Sequence, residues 1–165
     1  MKDRQHISLE EILVMIQTAK KFKMYEYYDG YYITIDGKEY LIYADEDITD
    51  AFYDLSLKVL PAIFEVLPNT NVEKFSFTSR FASETNHKYF KGLPTSLKKL
   101  KLDNLIRLNL DLYQDQLKKV SDIIFSGEPD YYEDDEIQFN EDYEYAVNPV
   151  KLLNKYNIVS RFAYD

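Results

Sequence analysis

The chain has no cysteine and no tryptophan, and only four glycines and five prolines among its 165 residues. Without cysteine there are no disulfides, thiolate zinc sites or cysteine nucleophiles, and the composition fits a reducing compartment. With so few glycines, phosphate-cradling loops are hard to build, and no GxSxG, GxGxxG or P-loop pattern occurs. No apolar run reaches the 18 or so residues of a membrane span. The opening Met1-Lys2-Asp3-Arg4-Gln5-His6 leads into a stretch holding Glu10 and Glu11, not into an apolar signal core. The two histidines, His6 and His87, stand in no metal-binding spacing. These absences predict a cytoplasmic chain with no cofactor, no metal and no membrane contact.

What is present is acid and tyrosine. The chain carries 29 acids against 20 bases, a net charge of −9, and 16 tyrosines. Between Val120 and Val150 there is no lysine or arginine, and ten acids fall there, from Asp122 to Glu144. The other 19 acids face all 20 bases, so the imbalance belongs to this window. Phe125, Tyr131, Tyr132, Phe139, Tyr143 and Tyr145 are threaded through it. A solvated tail would carry the charge without the rings. The negative balance argues against direct contact with nucleic acid or an anionic membrane and favours a basic protein partner.

Length predicts a single domain over 1–165, with 128–145 as a loop or insertion. The expected fold class is α+β. Ser8 and Glu11 form a capping box, and Leu9, Ile12, Leu13, Ile16 and Phe22 keep helical spacing, so a helix is expected over 8–22. Asp29-Gly30 and Asp36-Gly37 separate β-rich runs at 23–28, 31–35 and 38–44, which predicts a three-stranded antiparallel meander with Tyr31, Ile33 and Ile35 on one face. Asp45, Asp47 and Asp50 suit the start of a helix over 49–66 better than a calcium loop, whose Gly and distal Glu are missing. Pro61 within that helix predicts a kink or two shorter helices. A short strand over 72–77 follows. A helix is expected over 114–125, with Leu117, Val120 and Ile124 on one face and Gly127 as its stop. A short strand at 137–139, a helix at 149–155 with Pro149 at its first position, and a terminal strand over 157–162 complete the reading.

The centre carries a phrase. Leu93-Pro94-Thr95-Ser96-Leu97-Lys98-Lys99-Leu100-Lys101-Leu102 resembles the LPxSLKxLxL unit of leucine-rich repeats, including the bacterial-effector type. Leu67-Pro68 with Val72, Phe75 and Phe77 is an offset copy, its core 25 residues upstream of Leu97, Leu100 and Leu102. The resemblance covers 67–104 and implies neighbouring parallel strands in a β-α-β centre. A further apolar set at Leu105, Leu108 and Leu110 comes too soon for a repeat, and a hairpin turning at Asp103-Asn104 explains it equally well. A C-terminal helix with the acidic loop would close the domain.

Two functional readings follow. In the first, the protein is a non-enzymatic inhibitor covering a basic partner such as a toxin or nuclease. Its composition resembles that of immunity proteins and nucleic-acid mimics. Glu128, Asp130, Glu133, Asp134, Asp135, Glu136, Glu141 and Asp142 would steer the encounter, and Tyr131, Tyr132 and Tyr143 would anchor it. In the second, it is a repeat-type recognition module presenting Lys74, Lys98, Lys99 and Lys101. A basic strand edge beside an acidic loop is also self-complementary, which allows a homodimer. A carboxylate-dependent hydrolase would need a dry pocket to raise one carboxyl pKa, which a run of acids does not supply.

Overall fold

The computed structural model describes residues 5–27, 30–43, 51–79, 90–103, 113–126, 138–140, 143–146 and 149–163. They form a mixed α+β architecture around one eight-stranded, mostly parallel sheet, in the order β1-β4-β3-β2-β5-β6-β7-β10. The strands are β1 (Gln5–His6), β2 (Lys21–Glu26), β3 (Gly30–Ile35), β4 (Lys38–Tyr43), β5 (Lys74–Ser79), β6 (Lys99–Asp103), β7 (Asp122–Ser126) and β10 (Arg161–Ala163). The helices are α1 (Leu9–Met15), α2 (Ala51–Val66), α3 (Gln114–Leu117) and α4 (Pro149–Asn154).

The N-terminal half follows local chemistry. The Ser8 hydroxyl accepts the Glu11 amide at 3.2 Å, the N-cap the sequence implies, and donates to the Glu11 carboxylate at 3.1 Å. The helix stops at Met15, well short of 22, and Phe22 lies in a strand. Asp36 explains why: its carboxylate accepts the amides of Lys20 and Lys21 at 3.0 and 2.9 Å and draws the chain into β2, where Phe22 pairs with Ile35. β2, β3 and β4 form the antiparallel meander. At its second turn Asp36 and Gly37 both have positive φ, 48° and 88°, as a type I′ turn requires. Tyr31, Ile33 and Ile35 share the buried face.

α2 runs through Pro61 as one helix, so the alternative of two shorter helices does not occur. Proline removes one helical hydrogen bond. The burial of Val59, Leu60, Ile63 and Phe64 on both sides of it holds the helix together.

From β2 onward the sheet is a parallel ladder. β2 pairs with β5, β5 with β6, β6 with β7 and β7 with β10, each in parallel. Lys74 aligns with Lys99, 25 residues on, and Lys99 with Asp122, a further 23 on. This overturns the long helix expected at 114–125: α3 ends at Leu117 and Asp122–Ser126 is a strand. The residues behind that expectation, Leu117, Val120 and Ile124, satisfy helical spacing by coincidence. The operative pattern is Val120-x-x-Ile123-x-Phe125, which repeats Leu97-x-x-Leu100-x-Leu102 and Val72-x-x-Phe75-x-Phe77. Ala19-x-x-Phe22-x-Met24 is a fourth copy, and all twelve residues are buried. The connection from β5 to β6 falls over 80–89 outside the described residues, and α2 precedes β5. The alternatives at Asp103-Asn104 and Leu105 fall on 104–112, outside the described residues apart from Asp103.

The copies are also joined alike at the strand entrances. The carbonyl of Lys20 accepts the amides of Glu73 and Lys74, that of Glu73 accepts Lys98 and Lys99, and that of Lys98 accepts Asp122, all at 2.8–3.0 Å. Ser96 Oγ donates to the Val72 carbonyl at 2.7 Å and Ser121 Oγ to that of Lys98 at 3.0 Å. One apolar cluster runs from Ile12 to Ile158 beneath the ladder. β8 (Gln138–Asn140) and β9 (Tyr143–Ala146) form a separate antiparallel pair; β8 falls at the short strand expected over 137–139, and β9 was not expected.

Candidate binding face

In a strand successive side chains alternate between faces. Because Phe22, Phe75, Leu100 and Ile123 are in register toward the core, Lys21, Lys74, Lys99 and Asp122 are in register on the other face. The next rung of that outer face is Lys23, Ser76, Lys101 and Ile124, and the one after is Tyr25, Thr78, Asp103 and Ser126. Lys21, Lys23 and Lys74 are exposed, and Lys99 and Lys101 half-buried. Neighbouring strands lie about 4.8 Å apart, so Lys21, Lys74 and Lys99 form a row of like charge at roughly that spacing.

Of the ion pairs among the described residues, one lies beside the row at the entrances of β5 and β6 and one at its β7 end. Lys98 Nζ meets Glu73 Oε1 at 2.9 Å, and Arg161 reaches Asp122 at 3.4 Å. The hydrogen bond from Lys98, and then its charge, hold the Glu73 carboxyl below its ordinary pKa, with Lys20 and Lys74 adding to the effect. Glu73 therefore stays ionised in mildly acidic solution. Ile124 and Leu41 are buried on the outer side, at 4% exposure each, and bound the polar face at its two ends.

Beside the lysines, on the meander, is a groove of about 440 Å³ lined by Lys23, Tyr25, Tyr27, Tyr32, Thr34 and Glu39 among others. The rings of Tyr25, Tyr27 and Tyr32 lie 5.5–6.4 Å apart, inclined at 36–53°. Such tilted contacts let each ring set an edge against its neighbour's face. On the opposite side of β2 and β3, Tyr31 Oη donates to Glu26 Oε2 at 2.9 Å, with both residues buried. Burial first, and then the Glu26 charge and hydrogen bond, push the Tyr31 hydroxyl far above its ordinary pKa. This pair belongs to the core and does not open on the groove.

Of the residues expected to bind a partner, Glu128, Asp130, Tyr131, Tyr132, Glu133, Asp134, Asp135, Glu136, Glu141 and Asp142 lie outside the described residues. Tyr143 opens β9, in register with Asn140. Asp45, Asp47 and Asp50, expected at the start of the second helix rather than as metal ligands, also fall outside the described residues, as does His87. His6 is exposed and packs on Tyr43 with ring centroids 4.7 Å apart. Among the described residues no three of His, Cys, Asp and Glu gather as a metal site would require, and no helix is long and apolar enough to cross a membrane.

Sequence reasoning reached Lys74, Lys98, Lys99 and Lys101 but missed Lys21, Lys23 and Asp122. The signal was available. Stepping the Leu97-x-x-Leu100-x-Leu102 spacing forward 23 residues finds Val120, Ile123 and Phe125, and with them Asp122 on the outer face. The Tyr25, Tyr27 and Tyr32 groove follows only once β2 is known to alternate with Phe22 inward. In comparisons with known proteins, no protein-family model, curated protein or solved structure matches the chain.

Proposed function

We propose that this chain is a non-enzymatic protein-recognition module of leucine-rich-repeat type, which reads an acidic partner with the outer face of β2, β5 and β6. The observation that carries this reading is the in-register row Lys21, Lys74 and Lys99. Like charges on adjacent strands are unfavourable in the free protein, so a row of three is better explained by a partner than by stability. The four copies of the apolar phrase support the repeat assignment, since such arrays need about three units to bury a continuous core.

A second reading rests on a different observation, the confinement of ten of the 29 acids to a window without bases. In that reading residues 128–143 neutralise a basic partner, as immunity proteins do. One experiment separates the two. Crosslinking in native lysate is run with the wild type, with the triple variant K21E/K74E/K99E, and with E133Q/D134N/D135N/E136Q. Loss of the captured protein with the lysine reversals alone supports the sheet face. Loss with the amides alone transfers the function to the acidic window. Retention in both removes both surfaces from consideration.

A further inference from the structure

The tyrosine groove and the lysine row share one face and adjoin through Lys23, which lines the groove and lies on β2 two residues from Lys21. We infer that they work as one bipartite reader, taking an extended partner segment in which an aromatic residue lies three to four positions from a cluster of acids. This rests on the proposed recognition function and narrows its partner.

The groove selects a neutral ring. A cavity of about 150 Å³ suffices for benzene, so about 440 Å³ accepts a phenyl or phenol ring with space for water. Tyr25, Tyr27 and Tyr32 present inclined rings, against which a fourth can set edge to face or offset at about 4.5–7 Å. Three tyrosines beside a carboxylate could also be imagined to hold a cation. One fact opposes that here: Lys23 is part of the wall, with Lys21 and Lys74 on the adjoining rung. Positive charge is therefore repelled from the groove and negative charge is drawn to the neighbouring rungs.

The geometry sets the spacing. Lys99 is two strands from Lys21, about 10 Å at roughly 4.8 Å per strand. An extended peptide rises about 3.4 Å per residue. A segment crossing the strands with its ring in the groove thus brings carboxylates onto Lys74 and Lys99 within three to four residues. An acidic segment without the ring would still meet the lysines but leave the groove to water.

The test is fluorescence anisotropy on the full chain with three labelled peptides in a Gly-Ser frame. One has a tyrosine three positions before a run of four glutamates, one has alanine in place of the tyrosine, and one keeps the tyrosine ten residues from the glutamates. The first should bind about tenfold tighter than the other two, the size of one well-placed aromatic contact. Tyr32→Thr, which keeps a good strand former, should erase that preference while leaving the affinity for the alanine peptide unchanged. K74Q/K99Q should weaken binding of all three. Equal affinity of the wild type for all three peptides overturns the bipartite reader but leaves the lysine face standing. Binding unaffected by K74Q/K99Q overturns both, as does tighter binding of an oligothymidylate than of any peptide. Because the peptide series uses the unaltered protein, it decides the question even if a variant fails to fold.

Discussion

In the meander, β3 meets β4 through two residues, Asp36 and Gly37, whose positive φ values set the register directly. In the ladder, β5 and β6 start 25 residues apart, and no turn specifies how they align. Register there comes from the buried side of each strand. Phe75 stacks on Phe22 at 5.6 Å, Leu100 follows Phe75, and Ile123 follows Leu100, so a one-residue slip would put every apolar side chain into water. Antiparallel strands are thus ordered by local backbone chemistry and parallel ones by a repeated burial pattern. The outer face of each reflects that origin: mixed tyrosines on the meander, a repeating lysine on the ladder.

The sharpest way to break this contrast is in the ladder core. Phe75→Ala should cost about 3–5 kcal/mol, since it opens a cavity between Phe22 and Leu100. Urea unfolding should show it as a lower midpoint. If the meander stands apart, its amide hydrogens should keep more of their protection than those of β6 and β7.

Next comes Tyr31→Phe, which takes a donor from the buried Glu26 and should cost about 1–3 kcal/mol at neutral pH. Its pH dependence sharpens the test. The Tyr31 pKa is raised in the folded state from an ordinary value of 10.0. Its contribution is therefore complete below pH 10 and is lost as pH rises further, because the unfolded chain can release that proton and the folded chain cannot. The gap between wild type and Tyr31→Phe should narrow above pH 10 in thermal melts.

A smaller loss, about 1–2 kcal/mol, is expected for Asp36→Ala, which removes two acceptor contacts at the entrance to β2 and places a poorer residue at positive φ. Ser96→Ala should cost about 1 kcal/mol by removing one strand-entrance hydrogen bond of the ladder. Smallest of all, K74Q/K99Q should leave the melting midpoint nearly unchanged, because the attraction of Lys74 to Glu73 and of Lys99 to the facing Asp122 offsets the repulsion within the row and neither lysine makes a described ion pair. A large loss would mean that the row is structural and would count against its role in recognition.

The turns, caps and helices whose determinants lie within a few residues were legible: the Ser8–Glu11 cap, the Asp36-Gly37 hairpin, the helix starting at Pro149. The strand at Lys74–Ser79 and its partner at Lys99–Asp103 were legible as repeats of one phrase. The strand at Asp122–Ser126 was obscured, because the helical spacing of Leu117, Val120 and Ile124 competes with the Val120-x-x-Ile123-x-Phe125 copy of the phrase. Pairing with β6 selects the second. Of the site, Lys74, Lys99 and Lys101 could be read from the phrase, whereas Lys21 was hidden in what looked like the end of a helix and Lys23 opened the first expected strand with no sign of its neighbours across the sheet.

The sequence by itself determined the local turns, the inward apolar positions and the separation of an acid-rich window from a nearly neutral remainder. These depend on neighbours along the chain or on composition alone. Tertiary structure decided which strands adjoin, and so decided that lysines 21, 74 and 99 form a single row beside three tyrosines. That placement comes from burying four similar apolar phrases against one another, an interaction among residues too far apart in sequence for any local pattern to encode.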